Sequence, residues 1–142
     1  MLSHKVRNLV KLLLIFLIVK DIILFNLCFF FPDTWFKIFH DAPYIDPQGL
    51  LQRTGAVWLA FTLLQIIAFL RWERHPYWLT VIAGVRLTEI FSDWVYIYVA
   101  TSMTWYGRLG LSVAPPGNLA FGWFLIWVYQ RMMRERGGPE VT

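Results

Sequence analysis

Long apolar stretches separated by short polar segments dominate the pattern along the chain. A helix that spans a membrane needs about 20 mostly apolar residues, because the hydrocarbon core is about 30 Å thick. Four stretches meet this requirement in whole or in part, at about residues 9–31, 50–70, 77–100 and 118–133. The pattern predicts an all-α polytopic membrane protein, a four-transmembrane-helix bundle that forms a single integral membrane domain over residues 1–142.

The fourth stretch is the shortest of the set. Its continuously apolar part covers only residues 119–129 and follows a Pro-Pro-Gly sequence at 115–117. Because proline lacks a backbone donor and disrupts a helix interior, we expect a broken or short helix there. Residues 32–49 and 101–117 are predicted to be the two long loops, both on the outer side of the membrane.

The positions of lysine and arginine predict the orientation. Basic residues concentrate in segments that face the cytoplasm in membrane proteins. One side of the predicted bundle holds eight of them and the other side holds two. The larger group is Lys5, Arg7, Lys11, Arg71, Arg74, Arg131, Arg134 and Arg136, and the smaller group is Lys37 and Arg108. We therefore expect both termini in the cytoplasm and a multi-pass protein of the bacterial inner membrane.

Composition narrows the function classes. Hydrophobic residues make up 58% of the chain and charged residues 15%, which is too apolar for a soluble enzyme of this size. The net charge of +4 is explained by basic loops on anionic lipid, so no nucleic-acid partner is expected. The single cysteine, Cys28, excludes a disulfide framework and a cysteine-based metal cluster within the chain.

Charged residues inside the predicted spans are the most informative feature. Each costs about 2.5–3.5 kcal/mol on insertion scales, so each needs a partner or a role. The six are Lys20 and Asp21 in the first span, Arg53 in the second, and Arg86, Glu89 and Asp93 in the third. The last three share one helix face at spacings of three and four. Their signs balance, and a neutral cluster that joins three helices is predicted.

Depth in the membrane indicates which charges meet. At 1.5 Å per residue, side chains on different helices lie at similar levels. We expect Lys20 to pair with Glu89 and Arg86 to pair with Asp21. Arg53 is expected to pair with an acidic residue of the third span. The cluster is interpreted either as a structural lock between helices or as a polar site for a headgroup, a quinone carbonyl or a proton.

Other residue types supply weaker candidates. An aromatic pocket for a flat apolar ligand is a second hypothesis, with Trp58, Trp94, Trp123 and Trp127 as its lining. The glycines at 55, 84 and 122 are expected to permit close helix contact. The three histidines fall outside the spans, so no haem or metal site is predicted. No catalytic motif is found and the enzyme question stays open, with the balance against an enzyme.

The middle of the chain resembles the DoxX-like small four-helix membrane proteins. The similarity covers about residues 47–100. It rests on Arg53-Thr54-Gly55 at the start of the second span, a short basic loop that ends in Pro76, and the series Arg86, Glu89, Asp93. The resemblance implies a four-helix bundle. Some such proteins accompany quinone-linked or other redox membrane complexes, and the resemblance assigns no ligand.

Two functions remain open from the sequence. The first is an accessory or assembly subunit of a larger membrane complex, with a redox or energy-transducing complex as one candidate. Its partners would then be membrane lipids and other membrane subunits. The second is a stand-alone binder or carrier of a lipid, quinone or sterol that uses the intramembrane charged cluster. No bound cofactor is predicted, although a quinone, lipid or pigment is compatible with the residues.

Overall fold

The computed structural model describes residues 2–137, so positions 1 and 138–142 of the predicted single domain lie outside the described part. Within residues 2–137 the secondary structure is entirely helical. The five helices are α1 (His4–Phe30), α2 (Pro32–His40), α3 (Leu50–Arg71), α4 (Tyr77–Val99) and α5 (Trp105–Glu135). The predicted all-α class is confirmed.

Three of these helices, α1, α3 and α5, are long and apolar enough to cross a membrane. Large apolar side chains on their outer surfaces are exposed, as expected for helices that face lipid. The chain is therefore a helical membrane protein. Helix α4 has 23 residues, which is also a spanning length, but its three charged residues lie in its central part, whereas α1, α3 and α5 each contain a long stretch with fewer charges.

Two predictions about the outer segments are wrong. Residues 32–40 are helical rather than part of a loop, and α5 begins at Trp105 instead of near residue 118. The hydroxyl of Thr104 caps α5 by accepting a hydrogen bond from the backbone N–H of Gly107 at 3.1 Å, which satisfies one free amide of the first turn. Helix α5 then continues for 31 residues through Pro115 and Pro116.

The proline pair is tolerated because each proline removes one donor but leaves the rest of a long helix intact. Pro115 and Pro116 offer no N–H to the carbonyl oxygens one turn earlier, at residues 111 and 112. Packing against α4 along the helix holds the two halves of α5 together. The predicted short or broken fourth helix is thus corrected to a single long one.

The dense core lies at one end of the bundle, which holds the N-terminus of α1 and the C-terminus of α5. Its fully buried side chains are Val10, Leu14, Leu17, Trp72, Leu79, Ile82, Leu125 and Val128. Helix α1 packs mainly against α3, and α4 packs mainly against α5. The structure is therefore two helix pairs, tightly joined by apolar side chains at this end only.

Two of the three glycines expected at helix contacts lie there. A Cβ atom at Gly55 would lie 3.1 Å from Phe29 of α1, and one at Gly122 would lie 2.9 Å from Leu87 of α4. At Gly84 a Cβ atom would meet nothing within 4 Å. Close backbone approach therefore accompanies the α1–α3 and α4–α5 pairs, while Gly84 faces open space.

Candidate functional site

Asp21 is the centre of a buried polar network between the two helix pairs. Its carboxylate is fully buried and accepts a hydrogen bond from Arg86 Nη2 of α4 at 2.8 Å. Gln65 Nε2 of α3 donates to the same oxygen, Oδ2, at 2.5 Å, and Lys20 Nζ lies 3.1 Å from the other oxygen, Oδ1. One carboxylate thus joins α1, α3 and α4, which compensates its removal from water.

The network continues along α4. Arg86 Nη1 lies 2.7 Å from Glu89 Oε2, one helical turn further on, and both side chains are buried. The guanidinium also lies 5.9 Å from the ring centroid of Phe61 on α3. Glu89 Oε1 is buried and has no hydrogen-bond partner among the described residues. Each oxygen of Asp21 thus has a charged partner, whereas Glu89 Oε1 has none among the described residues.

The observed pairing differs from the expected pairing in two respects. Arg86 contacts Asp21 as expected, but Lys20 contacts Asp21 rather than Glu89. Arg53 is exposed near the start of α3 and takes no part in the network. At that position, a long side chain can extend to the aqueous end of the helix, which costs less free energy than burying its charge.

A partly open cavity of about 220 Å³ lies between this network and helix α2. Lys20, Glu89 and Asp93 contribute the charged part of its lining. The remaining lining residues are Leu24, Trp35, Phe39, His40, Trp58, Tyr96, Met103, Gly107, Gly110, Leu111, Ala114 and Asn118. The arrangement is a mostly apolar chamber with a few polar groups, as ligand sites commonly are.

Aromatic side chains and one histidine cover the cavity on the side of α2. His40 Nδ1 lies 2.6 Å from the carbonyl oxygen of Ser102. Because a carbonyl only accepts hydrogen bonds, Nδ1 donates to it, and Nε2 contacts the Tyr96 hydroxyl. The backbone N–H of Thr104 donates to the carbonyl of Phe39 at 2.8 Å. These contacts hold α2 against α4 and α5.

Asp93 and Lys20 approach the cavity with different surroundings. The only hydrogen bond to the Asp93 carboxylate from the described residues comes from Asn118 Nδ2 of α5, at a long 3.5 Å. Lys20 Nζ lies 5.2 Å from the ring centroid of Trp58 in addition to its contact with Asp21. The ammonium group therefore sits between a carboxylate and an aromatic face, an arrangement that stabilises a cation.

A second cavity of about 560 Å³ adjoins the first. Trp35, Trp58, Asp93, Tyr96 and Leu111 line both. The second cavity extends towards the start of α3 and the segment that precedes it. Together, the two cavities provide a continuous space on the side of the charged network that the dense core does not fill.

The four tryptophans proposed as a pocket lining do not lie together. Trp58 lines the cavity, whereas Trp94 is 61% exposed and Trp123 is 72% exposed. The guanidinium of Arg131 lies over the ring of Trp127, 5.6 Å from its centroid. Trp123 and Trp127 border a shallow groove on the outer face of α5. Those three tryptophans occupy helix faces that point away from the bundle.

Sequence reasoning missed Trp35, Phe39 and His40, which the unpredicted helix α2 brings over the cavity. The available signal was the sequence 32–40, where proline opens a short segment whose apolar residues, at 35, 36, 38 and 39, recur at helical spacing. Among residues 2–137, no group of three or more His, Cys, Asp or Glu side chains is arranged to hold a metal ion. Comparison with known proteins finds no matching family, no matching curated protein and no matching solved structure.

Proposed function

We propose that this chain is a membrane protein that binds a small amphipathic ligand of the lipid, quinone or sterol class in the cavity between α2 and the charged network. The observation that carries the proposal is the cavity itself, because its walls are apolar and Lys20, Glu89 and Asp93 are concentrated on its lining. An apolar chamber with a few convergent polar groups is the arrangement that binds such molecules.

The division of the network supports binding beyond a purely structural role. Asp21 is contacted by three side chains and joins the helix pairs. Glu89 and Asp93 are not needed for that link and lie on the cavity instead. Glu89 is buried and Asp93 is half-buried, and carboxylates with spare acceptors are costly to remove from water, so a role towards a ligand explains why they are there.

The proposal includes a topology of four spans, α1, α3, α4 and α5, with both termini in the cytoplasm. Helix α4 buries Arg86 and Glu89 and exposes Phe91 and Tyr98, as a spanning helix with an inward polar face would. The distribution of basic residues and the resemblance to DoxX-like proteins support the same arrangement. Reporter-enzyme fusions after residues 45, 74 and 103 in a bacterial inner membrane test it, and a periplasmic signal at residue 74 would contradict it.

Native mass spectrometry of the purified chain in mild detergent tests the binding function. We expect wild type and Trp94→Ala to retain a bound apolar molecule, and Trp58→Ala to lose it. Trp94 is the matched control because it is a tryptophan of α4 that is exposed outside the cavity. Equal retention by the two variants, or no retained molecule in wild type, would contradict the proposal.

An accessory subunit of a larger membrane complex is the second candidate function. The observation that favours it is an exposed aromatic pair at the start of α5, where Trp105 and Tyr106 stack with ring centroids 3.9 Å apart. Exposed aromatic clusters are suited to contact with a partner. The same mass measurement separates the two functions, because a stoichiometric protein partner that Trp105→Ala releases favours the accessory role.

A further inference from the structure

The cavity and the adjacent charged network together carry more carboxylates than cations. The cationic side chains there are Lys20 and Arg86, and the carboxylates are Asp21, Glu89 and Asp93. Arg53, which the sequence pattern placed with them, is exposed instead. With all groups ionised, one negative charge has no counterpart among the described residues. We assign this uncompensated charge to Asp93, because Asp93 forms no ion pair with any described residue.

Glu89 supplies an independent indication of the same kind. Its side chain is only 4% exposed, it lines the cavity, and its Oε1 atom accepts no hydrogen bond from the described residues. A buried carboxylate oxygen without a donor carries an uncompensated desolvation cost. A ligand that brings a donor or a positive charge into the cavity would remove that cost.

The cavity walls favour a cation over a neutral donor. Trp35, Trp58 and Tyr96 surround the space next to Asp93, and aromatic faces attract ammonium groups, most strongly where water is excluded. The protein already uses one of these rings in this way, since Lys20 Nζ lies 5.2 Å from the Trp58 centroid. Carboxylates combined with several aromatic rings form the chemical environment that recognises amines and quaternary ammonium ions.

We propose that the ligand of this cavity is an amphipathic organic cation, an amine or quaternary ammonium with an apolar body, whose charge is held beside Asp93. This inference rests on the proposed binding function and narrows its ligand class. A quinone or a sterol would fill the apolar space but leave the extra carboxylate unbalanced. The cavity of about 220 Å³ accommodates an ammonium head with a ring-sized body, and the adjoining cavity accommodates a longer chain.

Two probes of nearly the same shape separate charge from shape. Benzyltrimethylammonium and neopentylbenzene differ by a quaternary nitrogen in place of a carbon, so only the first is charged. Each probe, radiolabelled, is equilibrated with the full chain in phosphatidylglycerol nanodiscs, and binding to empty nanodiscs is subtracted. We expect the cation to bind at least about tenfold more tightly than its neutral counterpart and the anion phenylmethanesulfonate not to compete with it.

Variants locate the effect. Asp93→Asn is expected to weaken binding of the cation by at least about tenfold and to leave neopentylbenzene binding unchanged. Unchanged binding of the neutral probe also shows that the cavity is still folded in the variant. Asp41→Asn, the same change at an exposed carboxylate away from the cavity, should alter neither. Trp35→Leu keeps both carboxylates and should weaken binding of the cation by roughly threefold or more.

The outcomes distinguish the two proposals. Equal binding of the cation and the neutral probe would overturn the cationic ligand while leaving the binding function in place. Binding of neither probe to the folded chain would overturn both. If the cation binds, repeating the measurement with phosphatidylcholine in the nanodiscs identifies its natural source. Competition by the lipid indicates an ammonium headgroup, and unchanged binding indicates a free amphipathic amine.

Discussion

Replacing Arg86 with methionine removes a cation that contacts two buried carboxylates. Arg86 and Asp21 are both 0% exposed and lie 2.8 Å apart, and Glu89 lies 2.7 Å from the same guanidinium. Breaking a buried ion pair by deleting one partner costs about 3–5 kcal/mol, because the other charge stays buried without compensation. Lys20, at 3.1 Å from Asp21, compensates part of the loss, so we expect about 3 kcal/mol.

A double-mutant cycle isolates the pair. Asp21→Asn removes the opposite charge and keeps the shape, and the double variant lacks both members. We expect the double variant to be more stable than the sum of the single effects predicts, with a coupling energy of about 1–3 kcal/mol. The free energy of unfolding is measured by titrating mixed micelles with sodium dodecyl sulfate and following helix content by circular dichroism.

Arg53→Met is the matched control, since the same substitution is made at an exposed arginine of a neighbouring helix. Its effect should lie within about 0.5 kcal/mol of wild type. If Arg86→Met and Arg53→Met lowered the free energy of unfolding equally, the network would contribute nothing to the joining of the helix pairs. A coupling energy of zero between Arg86 and Asp21 would lead to the same conclusion.

Three further predictions concern the half of the bundle that holds α2. Gly107→Ala should destabilise the fold by about 1–3 kcal/mol, because the new Cβ would lie 2.6 Å from a backbone carbonyl oxygen of α2. Gly117→Ala is the control and should not destabilise the fold, because its Cβ would meet no atom within 4 Å. Thermal unfolding of the two variants makes the comparison. Tyr96→Phe leaves His40 Nε2 without its partner and should cost about 1–3 kcal/mol in the same measurement. Hydrogen bonds from the first amides of α3 lower the pKa of Asp46. The stability that ionised Asp46 contributes to the fold is therefore fully present above the unfolded-state pKa of about 3.9, and it is lost as the pH falls through the lower folded-state pKa. The difference in unfolding free energy between wild type and Asp46→Asn should therefore shrink as the pH falls through that window, and a constant difference would contradict the assignment.

The sequence predicted those features that depend on local composition. Apolar stretches of spanning length predicted the bounds of α3 and α4 to within one residue, whereas α1 begins five residues before its predicted start. The spacing of charges on the third stretch predicted an inward polar face. The contact between Arg86 and Asp21 followed from matched depths alone. Arg53 was placed incorrectly because depth says nothing about the direction a side chain takes, and a long side chain near a helix end can leave the bundle.

Helix α2, which covers the cavity, could not be predicted because its position depends on contacts between residues far apart in sequence. Helix α2 has only nine residues, a length at which local preferences alone are too weak to fix a helix. It is held by the bond from the Thr104 amide to the carbonyl of Phe39 and by the contact of His40 with Ser102. The early start of α5 depends on the same segment, since Thr104 both caps α5 and anchors α2.

The placement of the dense core relative to the charges explains how the chain can keep an open cavity. In lipid, helices gain little from apolar burial, so close packing and polar contacts must hold them together. The packed end around Leu14 and Leu125 and the network at Asp21 already fix all four long helices. The half of the bundle that holds α2 is then free to remain loosely packed, and α2 is held there by hydrogen bonds. A space lined by Glu89 and Asp93 can therefore persist where a close-packed core would otherwise exclude it.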